Sequence, residues 1–219
     1  MLSLIALRGK VVTADALHCN RRTVAAIAQG GGDYCLALKA NQDSLLSDAR
    51  SCFGKVSPDH PVARQQEVGH GRKETRTGMV VSAKGLAEHH DFPGLEAFGR
   101  IGARRETDGK VQTETRTFAL SWMLSWMLSW MPKPEVFMAT ARAHWGIEKA
   151  LHWHLDVSFR EDAARNRKDN GPANIAILRR RALDIARRDT SKGSLSIKLK
   201  RAGWNDAFLL SLLNQLDSY

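Results

Sequence analysis

The chain has 219 residues, with 33 Lys/Arg against 23 Asp/Glu, a formal charge of +10 and 43% hydrophobic residues. That composition excludes a disordered polymer, and no apolar run reaches the roughly 18 residues of a membrane span. Cys19, Cys35 and Cys52 are odd in number and far apart, which fits neither a disulfide framework nor a zinc-site spacing and implies a reducing, cytoplasmic setting. The charge points to a polyanionic partner, with a basic enzyme that has no such partner as the alternative. It is unevenly spread, since residues 160–201 carry 13 Lys/Arg and 5 acids.

In chain order, residues 1–8 predict a short apolar helix end. The β-branched cluster Val11-Val12-Thr13 predicts a short strand buried on both faces, with Asp15 at its end. Asn20 or Thr23 is placed to cap a helix with Val24, Ile27 and Ala28 on one face, and Gly30-Gly31-Gly32 stops it. Residues 33–39 predict a second apolar strand and residues 43–53 a helix. The alternation of strand and helix implies a parallel α/β core. Residues 57–118 are richer in glycine and polar residues, with strand-like runs at 75–82 and 114–120, and predict an antiparallel β insertion.

Residues 121–131 repeat Ser-Trp-Met-Leu twice and then Ser-Trp-Met, placing Trp122, Trp126 and Trp130 four apart. The repeat is either an aromatic platform for stacking bases or a short expansion from slippage in repeated DNA, and we favour the second. From residue 132 the pattern is helical. Helices are expected over 135–158, over 172–188 with Ile175, Leu178, Ala182 and Ile185 at helical spacing, and over 205–216 with Phe208, Leu209, Leu212 and Leu213 inward. This divides the chain into an α/β part (1–56), a β-rich insertion (57–131) and a C-terminal helical part (132–219).

The 135–158 segment carries His144, Glu148, His152 and Asp156 spaced by four, so adjacent pairs share a helix face. Ile147, Leu151 and Leu155 lie beside that stripe, on the side expected to face the core. Glu148 therefore stands at the edge of a buried surface and needs a cationic partner. Three readings are open. Glu148 could join Asp15 as an oxygen ligand of Mg²⁺; His144, Glu148 and His152 could bind Zn²⁺ in a hydrolase; or the stripe could make only i,i+4 hydrogen bonds.

The run Arg142-x-His144-Trp145-x-Ile147-Glu148-x-x-Leu151-His152-Trp153-x-Leu155-Asp156-Val157-x-Phe159-x-Glu161-Asp162-x-x-Arg165 resembles the H-repeat-associated DDE transposases of bacterial insertion sequences. Val12-Thr13-Ala14-Asp15-Ala16, the Lys39-x-Asn41-Gln42 turn after the second strand, Gly69-His70-Gly71-Arg72-Lys73-Glu74, Phe92-Pro93-Gly94-Leu95 and Lys200-Arg201-Ala202-Gly203-Trp204 resemble further motifs of that family. The resemblance spans nearly the whole chain.

It implies an RNase H-like catalytic core in which three acids bind two Mg²⁺ or Mn²⁺ ions that activate water, and then a 3′-hydroxyl, for attack on DNA. Carried over by position, Asp15 is the second acid and Glu148 the third, as catalytic and metal-binding residues. The family's first Asp lies on an earlier strand in an Asp-Gly-Lys context, and no Asp precedes Asp15 here. The expectation is therefore an N-terminally truncated core whose metal site is incomplete within this chain, and so a chain inactive alone. Two further departures are Asp15-Ala-Leu-His-Cys-Asn20, where the family has Asp-Ala-Met-Gly-Cys-Gln, and Glu148-Lys149, where it has Glu-Asn.

The implied partners are DNA, both insertion-sequence ends and target, and further copies of the chain as in the full-length family. Lys39, Arg142, Arg165, Arg167, Lys168, Arg179 and Arg180 are the candidate phosphate contacts, with Arg160, Arg181, Arg187 and Arg188 beside them. Arg179-Arg180-Arg181 spans nearly a full turn, so at least one of the three is expected to be solvated or to pair with Glu161, Asp162 or Asp184. The competing functions are a non-catalytic DNA-binding remnant, or an inhibitor of the full-length enzyme, and the zinc hydrolase.

Overall fold

The computed structural model describes residues 5–69, 71–121, 133–147, 151 and 153–216. The Trp122/Trp126/Trp130 repeat, Glu148 and His152 lie outside the described residues. The chain divides into two compact units, Met1–His144 and Trp145–Tyr219.

The first unit is built on one mixed sheet in the order β1-β2-β6-β5-β4-β3. β1 (Val11–Ala14) is followed by α1 (Arg21–Gln29), β2 (Asp33–Leu38) and α2 (Asp43–Gly54). β1 and β2 are the parallel pair, with Ala14 opposite Leu36. β3 (Val62–Gly69), β4 (Arg72–Ser82), β5 (Ala97–Thr107) and β6 (Lys110–Leu120) form an antiparallel meander, with the short α3 (Leu86–His89) between β4 and β5. β6 then pairs antiparallel with β2, Leu36 opposite Ala119, so the meander and the β1–β2 pair share one sheet. The β5–β6 turn is Asp108-Gly109, both at positive φ (50° and 73°), the geometry of a two-residue hairpin turn.

Strand alternation feeds two cores. Tyr34, Leu36 and Leu38 of β2 pack with Val24, Ile27, Leu45, Ala49 and Phe92 beneath α1 and α2. Cys35 points the other way, to Phe118, Leu120, Phe137, Met138 and Ala141 beneath α4 (Pro134–Ile147). The sheet is therefore covered on both faces, by α1 and α2 on one and α4 on the other, a layered α/β arrangement.

Several sequence expectations change. Residues 5–10 form no helix: Lys10 N–H donates to Leu7 O at 2.9 Å, and Leu7 is buried. β1 is half-buried along its length rather than buried on both faces, because it is the end strand of the described sheet. Asn20 caps α1 by accepting from Thr23 N–H at 3.0 Å. Val24 and Ile27 are buried as expected, whereas Ala28 is exposed. The sheet is mixed rather than parallel.

In the second unit, α5 (Trp153–Phe159), α6 (Gly171–Arg188), α7 (Leu195–Ala202) and α8 (Asp206–Leu213) form a small helical cluster. Ser194 caps α7 and Asn205 caps α8, each accepting a backbone N–H three residues on. The buried residues include Leu155, Leu183, Ala186, Phe208 and Leu212. The face expected on α6 is displaced: Ile175 and Leu178 are exposed, while Leu183 and Ala186 are buried. On α8, Phe208 and Leu212 point inward as expected, but Leu209 and Leu213 are exposed. Lys198 of α7 pairs with Asp189 at 3.1 Å, tying α7 to the end of α6.

Candidate active site

Asp15 stands one residue beyond β1, where a turn of 3-10 helix (Ala16–His18) begins. Its side chain is 58% exposed. β2 runs parallel beside β1, so Asp15 and Lys39 both follow the carboxyl ends of adjacent parallel strands, where α/β proteins bind their ligands. Lys39 is exposed.

The Lys39-x-Asn41-Gln42 segment clasps the loop after Asp15. Asn41 Nδ2 donates to Ala16 O at 2.7 Å, and Gln42 Nε2 donates to Cys19 O at 3.2 Å. Two side-chain amides thus tie this segment to backbone carbonyls of the turn, and Ala16 O takes the Asn41 bond in addition to the 3-10 hydrogen bond from Cys19 N–H at 3.1 Å. Cys19 is fully buried, and burial pushes its thiol up to about 12; Cys35 is likewise held at about 12 by burial. Both are structural thiols, poorly suited to nucleophilic work.

From the opposite side α4 brings His144. Its Nδ1 shares a hydrogen bond with Thr13 Oγ1 at 3.2 Å, and its Nε2 lies 3.7 Å from Asp15 Oδ1. The first member of the His/Glu stripe therefore meets the strand that carries Asp15. Glu148 and His152, the others invoked with it, lie outside the described residues. Leu155 is buried, while Asp156 is exposed on α5.

Arg142 leaves α4 two residues before His144 and pairs with Glu67 of β3 at 2.6 Å. That hydrogen bond is the main reason the Glu67 carboxyl sits below, and the Arg142 guanidinium above, its ordinary range. Glu67 also accepts from Arg76 at 3.2 Å, and Arg76 reaches Glu74 at 2.8 Å. Glu74 is only 2% exposed and is held by Arg72 at 2.8 Å and Arg105 at 3.0 Å as well. Burial alone would raise its pKa; the Arg105 hydrogen bond and the charges of Arg76, Arg105 and Arg72 outweigh that and lower it. Glu67 and Glu74 are directly opposite across β3 and β4, and Arg76 between them removes the like-charge penalty. The arginine cluster was not anticipated as a unit. Its signal is the alternation Arg72-x-Glu74-x-Arg76, which on a strand places all three side chains on one face.

Of the other candidate DNA contacts, Arg165, Arg167, Lys168 and Arg180 are exposed in the second unit, as are Arg160, Arg181, Arg187 and Arg188. Arg179 differs: its side chain is 18% exposed and lies 3.8 Å from Glu161.

Residues 1–185 match the family model described as the transposase DDE domain, and the chain belongs to that family. Membership implies an RNase H-like fold. The chain is similar to the putative transposase YncI of Escherichia coli O157:H7 (30% identity, over 97% of this chain and 55% of the relative). It is also similar to two proteins of Escherichia coli K12: the putative protein YbfL (28%, over 97% and 57%) and the H repeat-associated putative transposase YhhI (27%, over 97% and 57%). The chain thus spans a little over half the length of these relatives. Among the described residues no helix is long and apolar enough to cross a membrane.

Proposed function

We propose that these 219 residues are the part of an insertion-sequence transposase that carries the second and third metal-binding acids, Asp15 and Glu148, together with a basic surface for DNA. The observation that carries the reading is the approach of α4 to the end of β1. His144 stands 3.7 Å from Asp15, and Glu148 follows four residues later in the sequence. Asp15 is suited to a hard divalent cation: its carboxylate is more than half exposed at a strand end and makes no capping hydrogen bond to the turn that follows. Held by Asp15 and Glu148, Mg²⁺ or Mn²⁺ would supply charge stabilisation to the attacking and leaving oxygens of a phosphodiester.

The remaining residues position and bind. Asn41 and Gln42 fix the peptide after Asp15, and the His144–Thr13 hydrogen bond fixes α4 against β1. Lys39, exposed at the neighbouring strand end, would contact a phosphate bound beside Asp15. Arg165, Arg167, Lys168 and Arg180 add contacts that do not depend on sequence. Arg142 stays on Glu67 unless a phosphate replaces that carboxylate. Strand transfer takes three acids in this family, and Asp15 and Glu148 would supply two of them.

Calorimetric titration with Mn²⁺ tests the assignment. Wild type is expected to bind, and the same site is expected to vanish in both Asp15→Ala and Glu148→Ala. A Mn²⁺ site that survives both substitutions, or no Mn²⁺ binding at all, overturns it. A preference for Zn²⁺ that is lost with His152→Ala moves the assignment to a zinc hydrolase. Strand transfer in the presence of a segment that supplies a third acid, lost again with Glu148→Ala, would separate an enzyme part from a non-catalytic remnant.

A further inference from the structure

Asp48, His89 and His90 each offer one ligand atom, and the three atoms lie within 4.8 Å of one another. They come from two elements that pack over the same core: Asp48 from α2, and His89 and His90 from the end of α3. We propose that they form a second metal site, distinct from the Asp15 region, that takes a borderline divalent cation of the Zn²⁺ class and clamps α2 to the α3–β5 connection.

Two imidazoles and one carboxylate suit Zn²⁺ or Co²⁺ rather than Mg²⁺, which prefers oxygen ligands. Tetrahedral ligands around Zn²⁺ stand about 3.3 Å apart. The observed spacing is within a small side-chain adjustment of that value, and a water would complete the fourth position. The ligand-bearing backbone is already rigid. His90 N–H donates to Leu86 O at 3.1 Å, and Arg21 Nε donates to His90 O at 2.9 Å. Just beyond, Phe92 is 1% exposed and anchors the chain in the core. His90 itself is 6% exposed, and its Nε2 lies 2.7 Å from Asp48 Oδ2. The two groups already face a common point, where a cation would stand in place of the shared proton. His89 is exposed, and its ring lies edge-on to that of His90 with centroids 4.7 Å apart. It can close over the ion from the solvent side without disturbing the core. Arg21, which bonds the His90 carbonyl, is also 3.8 Å from Asp91, which answers its charge.

The test uses the untagged full chain with Mg²⁺ in excess, so that sites made of hard oxygens are filled. Titration with Co²⁺ should give a visible absorption band that saturates at one equivalent and is displaced by Zn²⁺. Because His89 is exposed, His89→Ala removes a ligand while leaving the fold intact, and it should weaken Co²⁺ binding by at least ~10-fold. Asp48→Asn should do the same. Zn²⁺ should raise the unfolding midpoint of wild type and not that of His89→Ala, because the ion binds the folded state selectively. Asp15→Ala should leave the Co²⁺ band unchanged, which separates this site from the one proposed above. A band of equal affinity in His89→Ala, or no saturable Co²⁺ binding in wild type, overturns the proposal.

Discussion

Glu74 has the environment in which a single charge matters most. It is 2% exposed and touches Arg72, Arg76 and Arg105, all within 3.0 Å. Removing the carboxylate leaves three guanidinium groups facing one another, whereas the present arrangement offsets its own desolvation through several charge-assisted hydrogen bonds. Glu74→Gln is expected to destabilise the fold by about 2–3 kcal/mol, less than the ~3–5 kcal/mol of a fully buried pair because Arg72 and Arg105 remain partly hydrated. Urea unfolding at neutral pH measures this. The pH dependence has a definite sign. The folded-state pKa of Glu74 is lowered, so its contribution is fully present above the unfolded value of about 4.3 and is lost as pH falls through the lower folded value. Wild type should therefore lose more stability than Glu74→Gln over the acid range below about pH 4, and equal losses would show that the cluster contributes nothing.

At the scale of elements, the position of α4 depends on two residues without side chains. A Cβ at Gly78 would lie 2.3 Å from Met138 Cγ, and a Cβ at Gly99 would lie 2.3 Å from Phe137 Cζ. The helix therefore rests directly on the backbone of β4 and β5. Phe137 fills the space over Gly99 and meets Phe118, which is paired with Gly99 across the strands, at 5.4 Å and 73°. Gly99→Ala must push the aromatic ring and the helix outward, at a cost of about 1–3 kcal/mol. Because α4 carries His144, the same substitution should weaken the His144–Thr13 contact and lower Mn²⁺ affinity along with stability. Gly54→Ala is the control, since a Cβ there meets nothing within 4 Å. It should be neutral or slightly stabilising. Thermal unfolding of both variants, with Mn²⁺ titration of each, checks the expectation; equal behaviour of the two would mean that α4 is free to shift.

At the scale of the whole molecule, charge is divided unequally between pairs and open surface. In the first unit many arginines are engaged: Arg72, Arg76, Arg105 and Arg142 in the cluster around Glu67 and Glu74, and Arg100 over the Phe53 ring at 4.4 Å. In the second, Arg165, Arg167, Lys168 and Arg180 project into solvent. Binding to non-specific duplex DNA should therefore weaken steeply with salt. Each phosphate contact removed should reduce the slope of log K against log salt by about 0.9. Arg167→Ala with Lys168→Ala is expected to lower the slope by nearly two such steps, and Arg179→Ala by much less, because Arg179 lies against Glu161. Fluorescence anisotropy over a salt series measures both, and an unchanged slope in the double variant removes this surface from the DNA-binding site.

Local chemistry was legible in the sequence where it depends on near neighbours. The β-branched run of β1, the Asn20 cap, the helix of residues 43–53 and strands inside the polar segment all follow from propensity, capping and alternation. The resemblance to DDE transposases was legible in the sequence, and the family match over residues 1–185 agrees with it; Asp15 and Glu148 as its acids remain the assignment proposed above. What the sequence could not supply was pairing between distant segments. Periodicity does not say that β6 closes against β2, so a parallel core and a separate insertion were expected where one mixed sheet forms. Nor does it choose between helix faces: on α6 the partners, not the spacing, decide that Leu183 and Ala186 are buried and Leu178 is not. The same limit concealed the meeting of His144 with Asp15, 129 positions away, the four-residue cluster around Glu74, and the convergence of Asp48 with His89 and His90. Residue type and spacing determine which groups can act; only the tertiary structure, by paying the entropy of closing long loops with core burial, decides which of them meet.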